Sequence, residues 1–435
     1  MGNEARFIRA DRAQARWDII DLEGFLPSDH RARIVVSFVE GLDVSELYAA
    51  IKAREGEPGR PPADPAVLLA LWLYATIEGV GSARELERLC ERDLAYRWIA
   101  GGVPLNYHGL ADFRVGHVEL LDRLLKDSVT ALIAEGIVSL AEVAVDGTKV
   151  RAQASPDSFK TADKLDRIAA AVERRLAGLK AEIEKDPAAC SRRQQAARER
   201  AAQDVTARSQ RAHQTLEKLR AERAERAKTH KKDEEKKGEP KASLSDPEAR
   251  FMRFSDGAYR PGYNAQIAVA PKEGIILAVT MTDRRNDAGL AAPMVEAIVE
   301  RYGQAPRRLL VDTNYAAAED IAALAAHPAG PVTVFAPPPA ESEKIKPATL
   351  ARRAKKRAQE PESVREWRNR MASPEGQEVF SLRKFIERIN GNLKNHGFGF
   401  MPVRGLIKTK AVALWHAIAH NLMTSRRLRL KAAHA

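Results

Sequence analysis

"RRLLVDTNYAAAEDIAALAAH", residues 307–327, is the stretch that decides the fold class. Leu309, Leu310 and Val311 form a short, wholly apolar run, the pattern of a strand covered on both faces. Asp312 closes that run, and helical sequence follows it over 316–327. A buried strand feeding a covering helix is the unit of layered folds that mix strands and helices. In open sheets with helices on both faces, ligand sites collect at the carboxyl edges of the strands. An acid at such an edge is either a turn residue or part of a site.

Further strands lie on either side. "LAEVAVDGTKV" (140–150) is an apolar, partly β-branched run ending in Asp146-Gly147. "YNAQIAVAP" (263–271) and "GIILAVTMT" (274–282) predict a hairpin turning through Lys272-Glu273-Gly274. "PVTVFAP" (331–337) predicts one strand more. These elements place the chain in the α/β class.

Residues 1–138 read as helical instead. "GRPPADPAVLLALWLYATIEGV" (59–80) leaves a Pro-rich turn and continues as a buried helix. In the next segment Ser82 and Glu85 form a capping box, and Gly101-Gly102 stops it. Asn106 is a further candidate cap. Short helices with Gly-containing turns suggest a helix-turn-helix arrangement.

Between the first strand and the hairpin lies a different texture, 158–245. Leu165, Ile168, Val172, Leu176, Leu179 and Ile183 recur at near-heptad spacing. Asp186-Pro187 breaks this stripe, a second Ala/Arg/Gln-rich helix follows, and a charged linker ends the block. The reading is a helical hairpin inserted into the α/β domain, whose stripe is a candidate dimerisation surface. The expected organisation is a helical domain over 1–138, an α/β domain over 139–400 interrupted by 158–245, and a basic C-terminal helix over 401–435.

Bulk properties narrow the partners. The chain has 435 residues, 44% of them hydrophobic and 30% charged, with net charge +12. The basic surplus is concentrated: 341–435 holds 21 Lys+Arg against 8 Asp+Glu, a net of +13. That points to a polyanion, most simply nucleic acid. Two cysteines, Cys90 and Cys190, make neither a disulfide framework nor a zinc site, which fits a reducing cytoplasm. The N-terminus is charged from the start and no run of eighteen apolar residues occurs, so neither a signal peptide nor a membrane span is expected.

The basic region contains "FSLRKFIERINGNLK" (380–394). On a helix turning about 100° per residue, Phe380, Arg383, Glu387 and Lys394 fall within about 60° of arc. A carboxylate between two cations on one face is either a solvated ion-pair ladder or one arm of a phosphate-holding metal site. With Asp146 and Asp312, Glu387 would make an oxygen-rich cluster suited to Mg²⁺ or Mn²⁺.

On these residues the chain resembles DDE-type transposases of bacterial insertion sequences, enzymes with a ribonuclease H-like core. The family's third-acid motif is Tyr, two residues, Arg, three residues, Glu, six residues, Lys. It stands here as Phe380, Arg383, Glu387, Lys394. The resemblance also covers "VDGTKVRAQAS" (145–155), "LLVDTNYAAAEDI" (309–321), residues 64–102, "RMASPEGQEVF" (370–380) and "RGLIKTKAVALWHAIAHNL" (404–422).

It implies a ribonuclease H-like mixed sheet in which Asp146, Asp312 and Glu387 are catalytic and hold two Mg²⁺ (or Mn²⁺) ions. Lys149, Arg383, Lys394 and Arg404 would contact DNA phosphates. The partners would be the element's terminal inverted repeats and target DNA, handled by a homodimer in the bacterial cytoplasm, at the nucleoid when on DNA. Two alternatives stand beside this: a catalytically decayed copy acting as a DNA-binding repressor, and a nuclease of the same fold. Phe380 replaces the family Tyr, removing a hydroxyl, and Asn314 stands where Gly is frequent. Asp283, Asn286 and Asp287 form a second polar cluster, in which Asp287 reads as a helix cap. His416 and His420 are four apart on one helical face, but Leu414, Trp415 and Ile418 predict that this helix packs on the core.

Overall fold

A computed structural model describes residues 21–51, 61–185, 192–235, 238–339 and 352–434, apart from 353 and 356. The Asp186-Pro187 break and the side chains of Leu179 and Ile183 lie outside the described residues.

Eight strands are present among them: β1 Glu142–Arg151, β2 Phe159–Lys160, β3 Ala242–Ser243, β4 Arg250–Arg253, β5 Tyr259–Ala270, β6 Ile275–Thr282, β7 Arg308–Leu310 and β8 Thr333–Phe335. Six of them form one sheet in the order β4-β5-β1-β7-β8, with β6 sharing the outer edge of β5 with β4. β1 runs antiparallel to β5 and parallel to β7, and β8 is parallel to β7. This mixed sheet with flanking helices is a ribonuclease H-like core. The β5–β6 hairpin turns where the sequence placed it, with Gly274 at φ 75°, a left-handed conformation that favours glycine.

Val143–Val145 of β1, nearly all of β5, Ile275–Val279 of β6 and Leu309–Leu310 of β7 are buried, which explains their apolar runs. The C-terminal helix Leu406–Ala433 supplies part of that cover. Trp415 is buried in the core and its Nε1 donates to Arg114 O at 2.9 Å. Asn421 brackets Ile276 on the β6 edge: it accepts from Ile276 N at 2.8 Å and donates to Ile276 O at 2.7 Å. This amide stands in for the next strand and satisfies an otherwise open sheet edge.

The N-terminal helices pack on the same helix, so the helical module and the sheet share one hydrophobic core. The caps read from sequence form, although the Ser82–Glu85 capping box is only half made: the Glu85 carboxylate pairs with Arg88 at 3.2 Å. Ser82 accepts from Glu85 N, and Asn106 accepts from Gly109 N at 2.9 Å. Gly101 ends the helix Leu94–Ala100 at φ 55°.

Asp122 links the two parts electrostatically, accepting from Arg301 of the sheet domain and from Lys410 of the C-terminal helix. Burial raises its pKa, but the two cations outweigh burial and hold it below the usual carboxylate range. A depressed native pKa stabilises the fold above the unfolded pKa, and the contribution is lost as pH falls through the native value. Asp122→Asn is therefore expected to cost about 1–2 kcal/mol at pH 7. Urea unfolding should show this gap closing in acid.

The inserted block is a helical hairpin, Ala162–Lys185 and Arg192–Glu235. Leu165 of the first helix meets Ala212, Leu216 and Leu219 of the second in a small core of its own. Along the described part of the stripe, Ile168, Val172 and Leu176 are half-buried. The stripe thus packs, at its base, within the hairpin. Among the described residues no helix is long and apolar enough to cross a membrane.

Candidate active site

Strand register places the first two acids. Ala144 of β1 pairs with Leu310 of β7. Two residues further along each chain are Asp146, in the middle of β1 just past its pairing with β7, and Asp312, just past the end of β7, on adjacent strands about 4.8 Å apart. The strand does not end at Asp146-Gly147 as the sequence suggested but runs on to Arg151, paired with β5. Asp312 caps the short 3₁₀ turn Thr313–Tyr315, accepting from Thr313 N at 2.7 Å. Asn314 Nδ2 donates to its other oxygen at 3.3 Å. The residue that departs from the family pattern thus touches the second acid. It does so without a left-handed backbone, since no described non-glycine residue has positive φ.

Glu387 comes from the helix Lys384–Leu393. A straight helix through 380–394 is not what forms. Helix Pro374–Ser381 ends first, and the join at Leu382 and Arg383 stays right-handed but tightens to three-residue bonds. Arg383 N donates to Phe380 O at 2.9 Å and Ile386 N to Arg383 O at 3.0 Å. After Lys394 the chain kinks, with Gly397 at φ 95° breaking the helix.

The tight join aims Arg383 inward, where its guanidinium forks between two acids. Nη1 donates to Glu387 Oε1 at 2.6 Å and Nη2 to Asp146 Oδ1 at 2.9 Å. Asn390 Nδ2 takes the remaining Asp146 oxygen at 3.0 Å. The sequence reading missed Asn390, although it lies three residues after Glu387 on the same helical face.

Burial pushes the Asp146 carboxyl above its ordinary pKa; Arg383 opposes this and Asp287 adds to it. For Arg383, burial acts to lower the pKa, but Asp146, Glu387 and Asp312 outweigh burial and raise it. All three candidate acids therefore act on one guanidinium. For Lys394 burial lowers the pKa, and attraction to Asp146 works against that.

Among the described residues, no three or more His, Cys, Asp or Glu side chains stand arranged to ligate an ion. The donor chemistry does fit a hard divalent cation. The groups are carboxylate oxygens, and the positive charge they call for is supplied here by Arg383.

A model of the transposase DDE domain matches residues 141–423, and a model of a transposase domain (DUF772) matches residues 20–115. The chain belongs to the DDE-domain transposases. No curated protein and no solved structure matches it significantly. The first match spans the whole sheet and most of the C-terminal helix of this transposase, and the second spans most of the helical module.

The remaining candidates fall elsewhere in the transposase. Arg404 is exposed and donates to Gln153 O at 3.2 Å. Lys149 lies 3.4 Å from Asp287. Asp287 is not the helix cap that the sequence suggested. The following helix, Ala291–Tyr302, starts from Leu290 without a side-chain cap. Asp287 instead turns its carboxylate onto the sheet, accepting from Asn264 and Gln266. Asp283 binds Arg250 at 2.7 Å and Lys218 of the inserted hairpin at 3.1 Å.

His416 is buried against the Phe398 ring, with its pKa pushed down by burial to about 3. His420 Nε2 lies 2.8 Å from Gly274 O. Both histidines are accounted for by packing and hydrogen bonding.

Gly147 has a steric reason. A Cβ there would stand 2.2 Å from Asp287 Oδ1 and 2.6 Å from Gln266 Nε2. Gly147→Ala is expected to destabilise the protein by about 1–3 kcal/mol through overpacking. The measurement is a shift in the denaturant midpoint at unchanged slope.

Proposed function

We propose that this transposase cuts the ends of its insertion sequence and joins the freed 3′-hydroxyl to target DNA by in-line phosphoryl transfer. Asp146, Asp312 and Glu387 form the catalytic trio. The observation that carries this reading is the pairing register that sets Asp146 beside Asp312, together with Arg383, which ties Glu387 to Asp146.

The three carboxylates would hold two Mg²⁺ (or Mn²⁺) ions. When bound, such ions activate the attacking oxygen and steady the leaving one. The chain's own residues do the rest. Asn390 fixes the rotation of the Asp146 carboxylate. Arg383 and Lys394 offer positive charge to the scissile or a neighbouring phosphate, and a guanidinium suits that task because its planar fork matches phosphate oxygens. Lys149 and Arg404 are further candidates for the DNA backbone. The helical module and the basic C-terminal segment from 341 on provide the surface for the terminal repeats and the target. Synapsis of two ends calls for a homodimer.

The test is cleavage and joining of labelled DNA carrying the element's ends, with Mg²⁺ or Mn²⁺, by wild type beside Glu387→Gln. Metal-dependent nicking that disappears in the variant while DNA binding persists is the expected result. Binding without cutting by both proteins, under every metal, would replace this reading with a DNA-binding repressor. Cutting without joining would leave a nuclease.

A further inference from the structure

We propose that Asp287 is a positioning residue for the cutting reaction, which through Gln266 and Tyr315 fixes the turn carrying Asp312. The proposal rests on the reading of Asp146, Asp312 and Glu387 as the site.

Strand alternation supplies the layout. Gly147 and Lys149 of β1 point to the face opposite Asp146, and their β5 partners are Gln266 and Asn264. Asp287 lies over this patch, in the segment between β6 and the helix Ala291–Tyr302. One oxygen, Oδ1, gathers three donors: Asn264 Nδ2 at 2.7 Å, Gln266 Nε2 at 2.9 Å and Lys149 Nζ at 3.4 Å. The Gly147 Cα, bare of a Cβ, is what lets the carboxylate come this close.

The consequence runs through Gln266. A glutamine amide has a donor end and an acceptor end, and its neighbours choose between its two orientations. Asp287 takes the donor end. The acceptor end, Oε1, is thereby turned to receive the hydroxyl of Tyr315. Tyr315 is buried, and its backbone N–H donates to Asp312 O at 3.0 Å. The chain of contacts therefore runs from Asp287 through Gln266 and Tyr315 to the backbone of the second acid.

Without the anion, the Gln266 amide has no reason to keep this orientation. A flipped amide would turn its N–H groups to Tyr315, so the hydroxyl would have to accept instead of donate, its buried O–H would lose its acceptor, and the anchor of the 3₁₀ turn would weaken. A merely structural salt bridge would need only Lys149. The two amide donors and the tyrosine give Asp287 a directional task. Groups that orient a metal-binding or catalytic side chain typically change affinity or activity about 10- to 100-fold when removed.

The test compares full-length wild type with Asp287→Ala, which removes the acceptor that Gln266 donates to, with Tyr315→Phe and with the double variant, using Glu387→Gln as reference. Cutting of end-containing DNA is followed at saturating DNA and Mg²⁺, DNA affinity separately, and Mn²⁺ binding without DNA by electron paramagnetic resonance. Each single variant should cut about 10- to 100-fold more slowly and bind Mn²⁺ more weakly, with DNA affinity within about twofold of wild type. The double variant should be no worse than the more impaired single, because both break one chain.

Effects that multiply in the double variant would overturn the proposal. So would unchanged Mn²⁺ binding and cutting with only a lower melting temperature, which is the mark of a structural role. Wild type that binds Mn²⁺ and cuts, beside variants that match it, defeats the positioning role alone. Wild type that neither binds Mn²⁺ nor cuts defeats the reading of the trio, and the proposal falls with it.

Discussion

Asp146→Asn is expected to lower cutting on the order of 10³-fold or more, with DNA affinity within about twofold of wild type. Both oxygens of Asp146 accept hydrogen bonds, one from Arg383 and one from Asn390. An asparagine has only one acceptor end, so its NH₂ group would face one of those donors head-on. The substitution also removes the negative charge that a divalent cation requires on the central strand. A donor–donor clash alone would cost stability. Loss of the charge alone would cost activity. Cutting measured beside urea unfolding separates them: a variant that folds near normally but does not cut places the effect in the charge. A variant that still cuts within about tenfold of wild type would remove Asp146 from the trio.

The second large effect is expected at Arg383. Its side chain is 13% exposed and stands between Asp146 and Glu387. Arg383→Ala would leave the carboxylates of Asp146 and Glu387, with Asp312 nearby, without that cation. In the absence of metal this should destabilise the protein by about 1–3 kcal/mol, the usual cost of breaking charge-assisted bonds in a partly buried setting. Added Mg²⁺ or Mn²⁺ should recover that loss, because a ligand of the native state alone stabilises by mass action and the variant's carboxylates are no longer occupied. The expected signature is a larger metal-induced rise in melting temperature for Arg383→Ala than for wild type. Cutting should nevertheless fall about 10²–10³-fold, because the guanidinium proposed to hold the phosphate once a metal takes its place between the acids is gone. Equal thermal shifts in the two proteins would show that Arg383 does not share its carboxylates with a cation. Arg383→Lys is expected to recover little, since an ammonium cannot fork between two acids.

Much of the arrangement could be read from local sequence. The apolar run ahead of Asp312, the β5–β6 hairpin with its glycine, the caps at Ser82 and Asn106 and the stop at Gly101 all depend on interactions within a few residues. The spacing of Arg383, Glu387 and Lys394 was legible for the same reason. Even so, the sequence carried no signal for the tightened join at Leu382 and Arg383, which departs from a straight helix by only a few bonds.

Asp287 and Gln266 were harder. In "TDRRNDAGLAAPMVE" a capping role for Asp287 is the cheapest local explanation. The true partners, Asn264 and Gln266, lie in a strand more than twenty residues away. Gln266 in turn reads as an ordinary interruption of an apolar strand until Tyr315 is brought to its other end.

By itself, then, the sequence determined the elements and the candidate acids, because turn chemistry, capping and hydrophobic period act over short stretches of chain. Only the tertiary structure decided how the acids are held. Pairing Ala144 with Leu310 sets Asp146 beside Asp312, and Arg383 reaches Asp146 from 237 positions further along the chain. Strand register is fixed by the burial of whole faces, and a side-chain hydrogen bond depends on direction over a few tenths of an ångström. Neither quantity is written in any short stretch of residues.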